Sequence, residues 1–265
     1  MKKEKLTGAE GFEIYYAKIF GSRWDNLKTS LLEETKQVAY TENLIRPYFL
    51  DYASVQAAKA VPELTEGSCL DMCAAPGGKT LVLLSRIKEN TQITANEISA
   101  DRRNRLIKVL DEHLCEENRL RINITGYDAC KMPKYKQNIY DRILLDAPCS
   151  SERHVLKNEK YLKQWSEARI KNLAQRQWAL LSAAFLLLKT EGFLVYSTCA
   201  LSDLENDSVV KKLILKYKDK VLIHNSEKSF EPPPFAEKTE HGYMFLPDTA
   251  EGAGPIYFSI IQKKE

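Results

Sequence analysis

The 265-residue chain has six cysteines but no Cys-x-x-Cys pair, and Cys69 and Cys73 have no second pair nearby, so a structural zinc site is not expected. The six thiols also lack the regular spacing of a disulfide scaffold, in a chain too long to need one, so a reduced, cytoplasmic setting is expected. Long apolar runs are missing too. The stretch Ala183 to Leu188 is among the longest, far short of the roughly 20 residues needed to cross a bilayer, so no membrane association is expected. Met1-Lys2-Lys3-Glu4-Lys5 leads into polar sequence without an apolar core, so no secretory signal is expected. Charge is nearly balanced: 39 Lys and Arg against 36 Asp and Glu give a net +3, which does not announce nucleic acid. There is no internal repeat and no low-complexity tract. With 44% hydrophobic and 28% charged residues, the composition is that of a folded globular chain.

What is present is ordered. Residues 1–50 read as a helical, amphipathic segment containing Tyr15-Tyr16, Phe20-Gly21 and Trp24, and residues 51–265 as one larger domain. Tyr48-Phe49-Leu50-Asp51 is expected to be an extended link, followed by a short helix over Ser54–Ala60. From Ser68 onward, strands are predicted at Cys69–Met72, Gln92–Asn96, Arg121–Thr125, Asp141–Asp146 and Phe193–Ser197. Helices are predicted between them at Thr80–Ile87, Ala100–Cys115 and Ser166–Leu188. That alternation predicts an α/β fold with a mostly parallel sheet covered on both faces. Ser202 and Glu205 form a capping-box pattern opening a further helix to about Tyr217. The tail predicts β structure at Val221–His224, Tyr243–Leu246 and Ile256–Ile261, with an antiparallel hairpin closing the sheet.

The first strand, Cys69-Leu70-Asp71-Met72, runs into Cys73-Ala74-Ala75-Pro76-Gly77-Gly78-Lys79-Thr80 and then an apolar helix. A strand, a Gly-rich loop and a helix together bind nucleotide-like ligands at the first crossover of such sheets. A P-loop needs glycine where Cys73 stands, and a dinucleotide fingerprint needs three spaced glycines where only Gly77 and Gly78 occur. S-adenosylmethionine fits best. Glu97, ending the second strand, is placed for the ribose hydroxyls, and Asp128, after the third, for the adenine amino group.

Two cysteines close later strands: Cys149 in Asp146-Ala147-Pro148-Cys149 and Cys199 in Tyr196-Ser197-Thr198-Cys199. Carboxyl ends of strands are where open sheets place ligands. Next to a methyl donor, a thiol there suggests covalent chemistry on a pyrimidine, with either cysteine as the attacking group. Cys69, Cys115 and Cys130 read as inert packing residues. After Cys149 the charge becomes local: seven basic residues against three acids between Glu152 and Arg176. Such a run is commonly a solvated helix face. Its position at the site's mouth instead makes Arg153, His154, Lys157 and Lys160 candidates for RNA backbone. Trp165 and Trp178 have helical spacing and are read as core in preference to base-stacking platforms.

The strings Leu70-Asp71-Met72-Cys73-Ala74-Ala75-Pro76-Gly77-Gly78-Lys79-Thr80, Asp146-Ala147-Pro148-Cys149-Ser150 and Ser197-Thr198-Cys199 with Glu205-Asn206 together resemble the NOL1/NOP2/Sun family of RNA cytosine-5 methyltransferases. Tyr15-Tyr16, Phe20-Gly21, Arg23-Trp24, Ser151-Glu152-Arg153-His154 and Gly254-Pro255-Ile256-Tyr257-Phe258 look like the branch of the mitochondrial ribosomal-RNA enzyme and its tRNA-modifying relative. With no mitochondrial presequence in view, a bacterial or truncated version is expected. The resemblance implies a Rossmann-like class I methyltransferase fold. It implies that Cys73 through Lys79, Glu97, Arg102, Asp128 and Asp146 surround S-adenosylmethionine. It also implies that Cys199 attacks C6 of cytosine and Cys149 assists release. In DNA cytosine-5 methyltransferases the Pro-Cys thiol attacks instead, a role that would fall to Cys149.

Thiolate attack at C6 is needed because cytosine C5 is otherwise too poor a nucleophile toward a methyl sulfonium. Asp146 is suited to the N3–N4 edge of the base. The base must be unstacked first. Ribosomal RNA is the expected substrate, ahead of tRNA, with a ribosomal particle or an accessory RNA-binding protein as further partner. A non-catalytic assembly factor and a DNA enzyme are the rivals.

Overall fold

The computed structural model describes residues 6–226 and 228–265. Two helices, α1 (Gly8–Phe20) and α2 (Trp24–Leu32), precede an antiparallel ribbon of β1 (Gln37–Tyr40) and β2 (Tyr48–Asp51), and then α3 (Tyr52–Lys59). The segment expected to be helical to residue 50 therefore contains a ribbon. Tertiary packing decides this: Tyr40 and Leu50, one from each strand, are buried in the core cluster that includes Ala53 and Leu81. Residues 1–5 of that segment lie outside the described residues.

The central sheet carries five parallel strands, β3 (Ser68–Asp71), β4 (Gln92–Asn96), β5 (Ile122–Thr125), β6 (Tyr140–Asp146) and β7 (Leu188–Thr198). β8 (Val221–Ile223), β9 (Glu237–Lys238), β10 (Tyr243–Phe245) and β11 (Ile256–Lys263) complete it. The order is β5-β4-β3-β6-β7-β11-β10-β9, with β8 also on β11. β11 lies antiparallel to β7, and the expected C-terminal hairpin is β10 on β11. Covering helices are α4 (Gly78–Leu84), α5 (Ala100–His113), α6 (Glu116–Leu120), α7 (Glu152–Leu156), α8 (Glu159–Lys163), α9 (Glu167–Leu187) and α10 (Asp207–Tyr217).

Period-two alternation explains why both faces are buried. Leu70, Ile143, Leu145, Leu194 and Tyr196 pack into one core with α1, α2, α9 and α10. Their strand neighbours Cys69, Leu144 and Val195 pack into the other with α3, α4 and α5. Trp165 sits in the first core beside Phe12, Tyr15 and Tyr16, and Trp178 lies partly buried with the Lys216 ammonium over its ring. No helix among the described residues is long and apolar enough to cross a membrane.

The Ser202–Glu205 capping box does not form. The Ser202 hydroxyl meets the Tyr15 hydroxyl at 2.9 Å, Asp203–Glu205 is a 3₁₀ turn, and α10 begins only at Asp207. Glu205 points inward, where buried donors are waiting for it.

Candidate active site

Strand order reverses direction between β3 and β6, and the loops after β3 to β7 meet at that point, the usual ligand crevice of an open α/β sheet. The loop after β3 is held by its backbone, with Ala74 N–H donating to Asn96 O at 2.9 Å. Gly77 has φ +120°, a conformation that L side chains rarely adopt, and a Cβ there would meet Val109 at 3.1 Å.

Two cavities flank the loop and share Cys73. One, of about 60 Å³, is lined by Glu97, Arg102, Tyr127 and Asp128. The other, of about 130 Å³, is lined by Ala74 to Lys79, Ser54, Asp71 and Asp146. Glu97 is buried; its carboxylate accepts from Ser99 N–H at 2.9 Å and pairs with Arg102 at 3.5 Å, while Arg102 also donates to Ala75 O at 2.7 Å. Asp128 accepts from Cys130 N–H at 3.2 Å and pairs with Lys131 at 3.2 Å.

Asp71 ends β3 directly before the loop. It is wholly buried, and one oxygen takes the Thr80 hydroxyl at 2.7 Å. The other has no partner. Burial pushes this carboxyl up to about 7. Asp71 is among the residues lining the second cavity, and a backbone hydrogen bond from Cys73 opposes the effect of burial on its carboxyl.

At the end of β6, Asp146 accepts from Lys79 Nζ at 2.9 Å and from Ser197 Oγ at 2.8 Å, so both its oxygens are oriented. Burial pulls the Lys79 ammonium down, but Asp146 outweighs this and holds it up, fully charged.

The two cysteines converge from adjacent strand ends. Their sulfurs are 2.7 Å apart, with Ser151 Oγ 3.2 Å from Cys199 Sγ and 3.6 Å from Cys149 Sγ. The Cys199 amide donates to Cys149 Sγ at 3.2 Å. The hydrogen bond from the Cys149 thiol lowers Cys199 below the usual thiol value, against the effect of burial. Cys149 is raised well above it, by that same bond to Cys199 and then by burial. A third cavity, of about 400 Å³, opens beside them, lined by Cys199, Ser151, His154, Lys157, Asp51 and Gly254 to Ile256. Cys199 lines it and Cys149 does not.

The four basic residues placed at the mouth divide. His154 and Lys157 line the third cavity and are exposed. Lys160 is exposed on α8, away from its lining. Arg153 also lines the cavity, half-buried. Its guanidinium donates to five backbone carbonyls: Ser30, Leu31 and Glu33 at the end of α2, and Gly252 and Gly254. A helix end leaves carbonyls without partners, and a half-buried fork of five donors satisfies them. Arg153 therefore fastens the N-terminal helices and the C-terminal loop around the cavity, and has no donors left for phosphate.

The fold and this crevice define a class I methyltransferase architecture. A solved methyltransferase homologue from Pyrococcus horikoshii superposes with a TM-score of 0.74 at 20% identity, over 97% of this chain and 96% of that one. NSun6 from the same organism, solved with SFG, gives 0.69 at 25% identity over 83% and 54%. The model of the 16S rRNA methyltransferase RsmB/F family matches residues 60–261, and the chain belongs to that family, in agreement with the motif resemblance. Curated relatives include the 5-cytosine rRNA methyltransferase NSUN4 of Bos taurus, 33% identical over 79% of this chain and 59% of that protein. Ribosomal RNA small subunit methyltransferase F of Shewanella piezotolerans is 38% identical over 67% and 36%. The chain thus matches about three fifths or less of the length of these relatives.

Proposed function

We propose that this protein transfers a methyl group to C5 of a cytosine in ribosomal RNA, with Cys199 as the nucleophile. S-adenosylmethionine supplies the methyl group and would lie along the loop after β3. The residues present suit it: Glu97 and Asp128 at one cavity, the unpartnered Asp71 oxygen at the other, and Cys73 between. Three steps fall to the chain's own side chains. The Cys199 thiolate bonds to C6, and the electron pair displaced from the C5–C6 double bond is taken up at C5 by the incoming methyl group, while the Asp146 carboxylate accepts from the N4 amino group of the base. Lys79 and Ser197 hold that carboxylate in one orientation, so no reorganisation is needed as charge develops. After methylation, the C5–H electron pair re-forms the C5–C6 double bond and expels the Cys199 sulfur with the C6–S pair; the C5 proton passes to the Cys149 sulfur, which gives its own proton to the departing thiolate.

One observation carries this reading: of the two touching sulfurs, Cys199 lines the cavity and Cys149 does not, and the Ser151 hydroxyl lies 3.2 Å from the Cys199 sulfur. The relatives whose names specify 5-cytosine rRNA and small-subunit ribosomal RNA support the substrate class.

The test is an RNA–protein adduct that survives denaturant. Cys199→Ala should form none and transfer no label from tritiated donor. Cys149→Ala should accumulate the adduct. The reverse pattern sinks the assignment. Bisulfite sequencing of RNA from cells with and without the gene then locates the cytosine, and a protected site in tRNA alone would overturn the substrate.

A further inference from the structure

Behind the two sulfurs lies a buried polar knot that this chemistry leaves unused. Glu152, Glu205 and Gln177 are fully buried, and Ser150 is nearly so. Glu152 accepts from the Tyr16 hydroxyl at 2.5 Å and from the Leu201 N–H at 3.0 Å. Glu205 Oε1 accepts from the Ser150 N–H at 3.0 Å and from Gln177 Nε2 at 2.8 Å, and the same amide group donates to Pro148 O at 2.9 Å. Ser150 Oγ lies between the two carboxyls, in contact with Glu152 Oε1 and Glu205 Oε2.

Counting protons gives a constraint. A hydroxyl has one proton and donates once. With both carboxyls ionised, one of the two contacts at Ser150 Oγ would be oxygen against oxygen with nothing between. Among the described residues no lysine or arginine pairs with either acid to offset two buried charges. The titratable groups facing the pair are Tyr15 and Tyr16 from α1, Tyr196 from β7, and Cys149 and Cys199 from the two loops; none is cationic.

We propose that Glu205 and Glu152 share one proton through Ser150, and that the pair clamps the two cysteine loops in register. The Glu205 O–H donates to Ser150 Oγ, which donates to Glu152. The ionised Glu152 then has three donors: Ser150, Tyr16 and the Leu201 amide. Each carboxyl holds the other's loop. Glu205, six residues beyond Cys199, grips the amide next to Cys149; Glu152, three beyond Cys149, grips the amide two beyond Cys199. Burial first, and the facing Glu152 second, raise Glu205 to about 7, in keeping with a retained proton. These are positioning residues, and the clamp's value to catalysis rests on the reading of Cys199 and Cys149 as the working pair.

Two measurements test it. Glu205→Gln keeps a donor toward Ser150 Oγ and an acceptor for its amide, so adduct formation should be rescued relative to Glu205→Ala, which should be slower by roughly 100-fold through misplaced sulfurs. The second needs no RNA. A carboxyl raised in the fold holds a proton that the unfolded chain releases. The Glu205 contribution to wild-type stability therefore declines as pH rises from about 4 to about 7 and levels off above. Glu205→Gln lacks that titration, so its melting temperature should gain on wild type across that window. A pH-independent difference, or Glu205→Gln as slow as Glu205→Ala, overturns the clamp. If no variant or wild type forms an adduct but the melting difference follows pH, the proton sharing stands and the methyl-transfer reading falls.

Discussion

A thiol attacks only as its thiolate, and two thiols in contact cannot both ionise cheaply. Here the neighbours decide which one does. The Cys149 sulfur and the Ser151 hydroxyl both lie within hydrogen-bond reach of the Cys199 sulfur, and Asp146, paired to Lys79, stands at the end of the adjoining strand. Alkylation of Cys199 by iodoacetamide, followed against pH by mass spectrometry, should have its midpoint below the ordinary thiol value. In Cys149→Ala the lowering bond is gone and the midpoint should move up; an unchanged midpoint would show that Cys149 plays no part. Lys79→Met removes the partner that orients Asp146 and should reduce kcat by roughly 100-fold with a smaller change in KM for the donor. An effect confined to KM would place Lys79 in binding alone. Both cysteines, Asp146 and Lys79 were legible as residues in sequence motifs. The unpaired oxygen of Asp71 was not, because an acid at a strand end looks the same in sequence whether or not its partners are present.

At the scale of elements, the parallel strands and their helices were readable because apolar runs of four to seven residues alternate with helical stretches. Boundaries moved most where side chains serve something other than their own element. Ser202 and Glu205 have the spacing of a helix cap, yet Glu205 turns away because the Ser150 amide of the Cys149 loop and the Gln177 side-chain amide need an acceptor in the core. Arg153 sits in a basic run and reads as an RNA contact, yet it closes the end of α2. Arg153→Met should destabilise the fold by about 1–2 kcal/mol in urea unfolding, since it strands several partly buried carbonyls. It should leave the salt dependence of RNA binding unaltered. A loss of about one unit in the salt slope, with stability intact, would return Arg153 to the phosphate contacts.

For the molecule as a whole, the N-terminal helices are wedged into the catalytic core. Tyr16 reaches Glu152, Arg23 pairs with Glu237 and Asp248, and Trp24 stacks on Tyr16 within the core that holds Trp165. Trp24→Ala should cost about 3–5 kcal/mol. Because Tyr16 packs on that ring, the same variant should slow adduct formation at temperatures where it remains folded; full activity there would separate the wedge from the site.

The sequence alone determined the alternation that makes the sheet, the small-residue loop that lets a donor approach, and the identity of both thiols. Periodicity and local spacing encode those features. Only the tertiary structure decided which sulfur lines the cavity, that Arg153 is a fastener, and that Glu152 meets Glu205 across 53 positions of chain. Those outcomes depend on which buried donors and acceptors come within hydrogen-bond reach of one another, and that is fixed by packing between elements far apart in sequence.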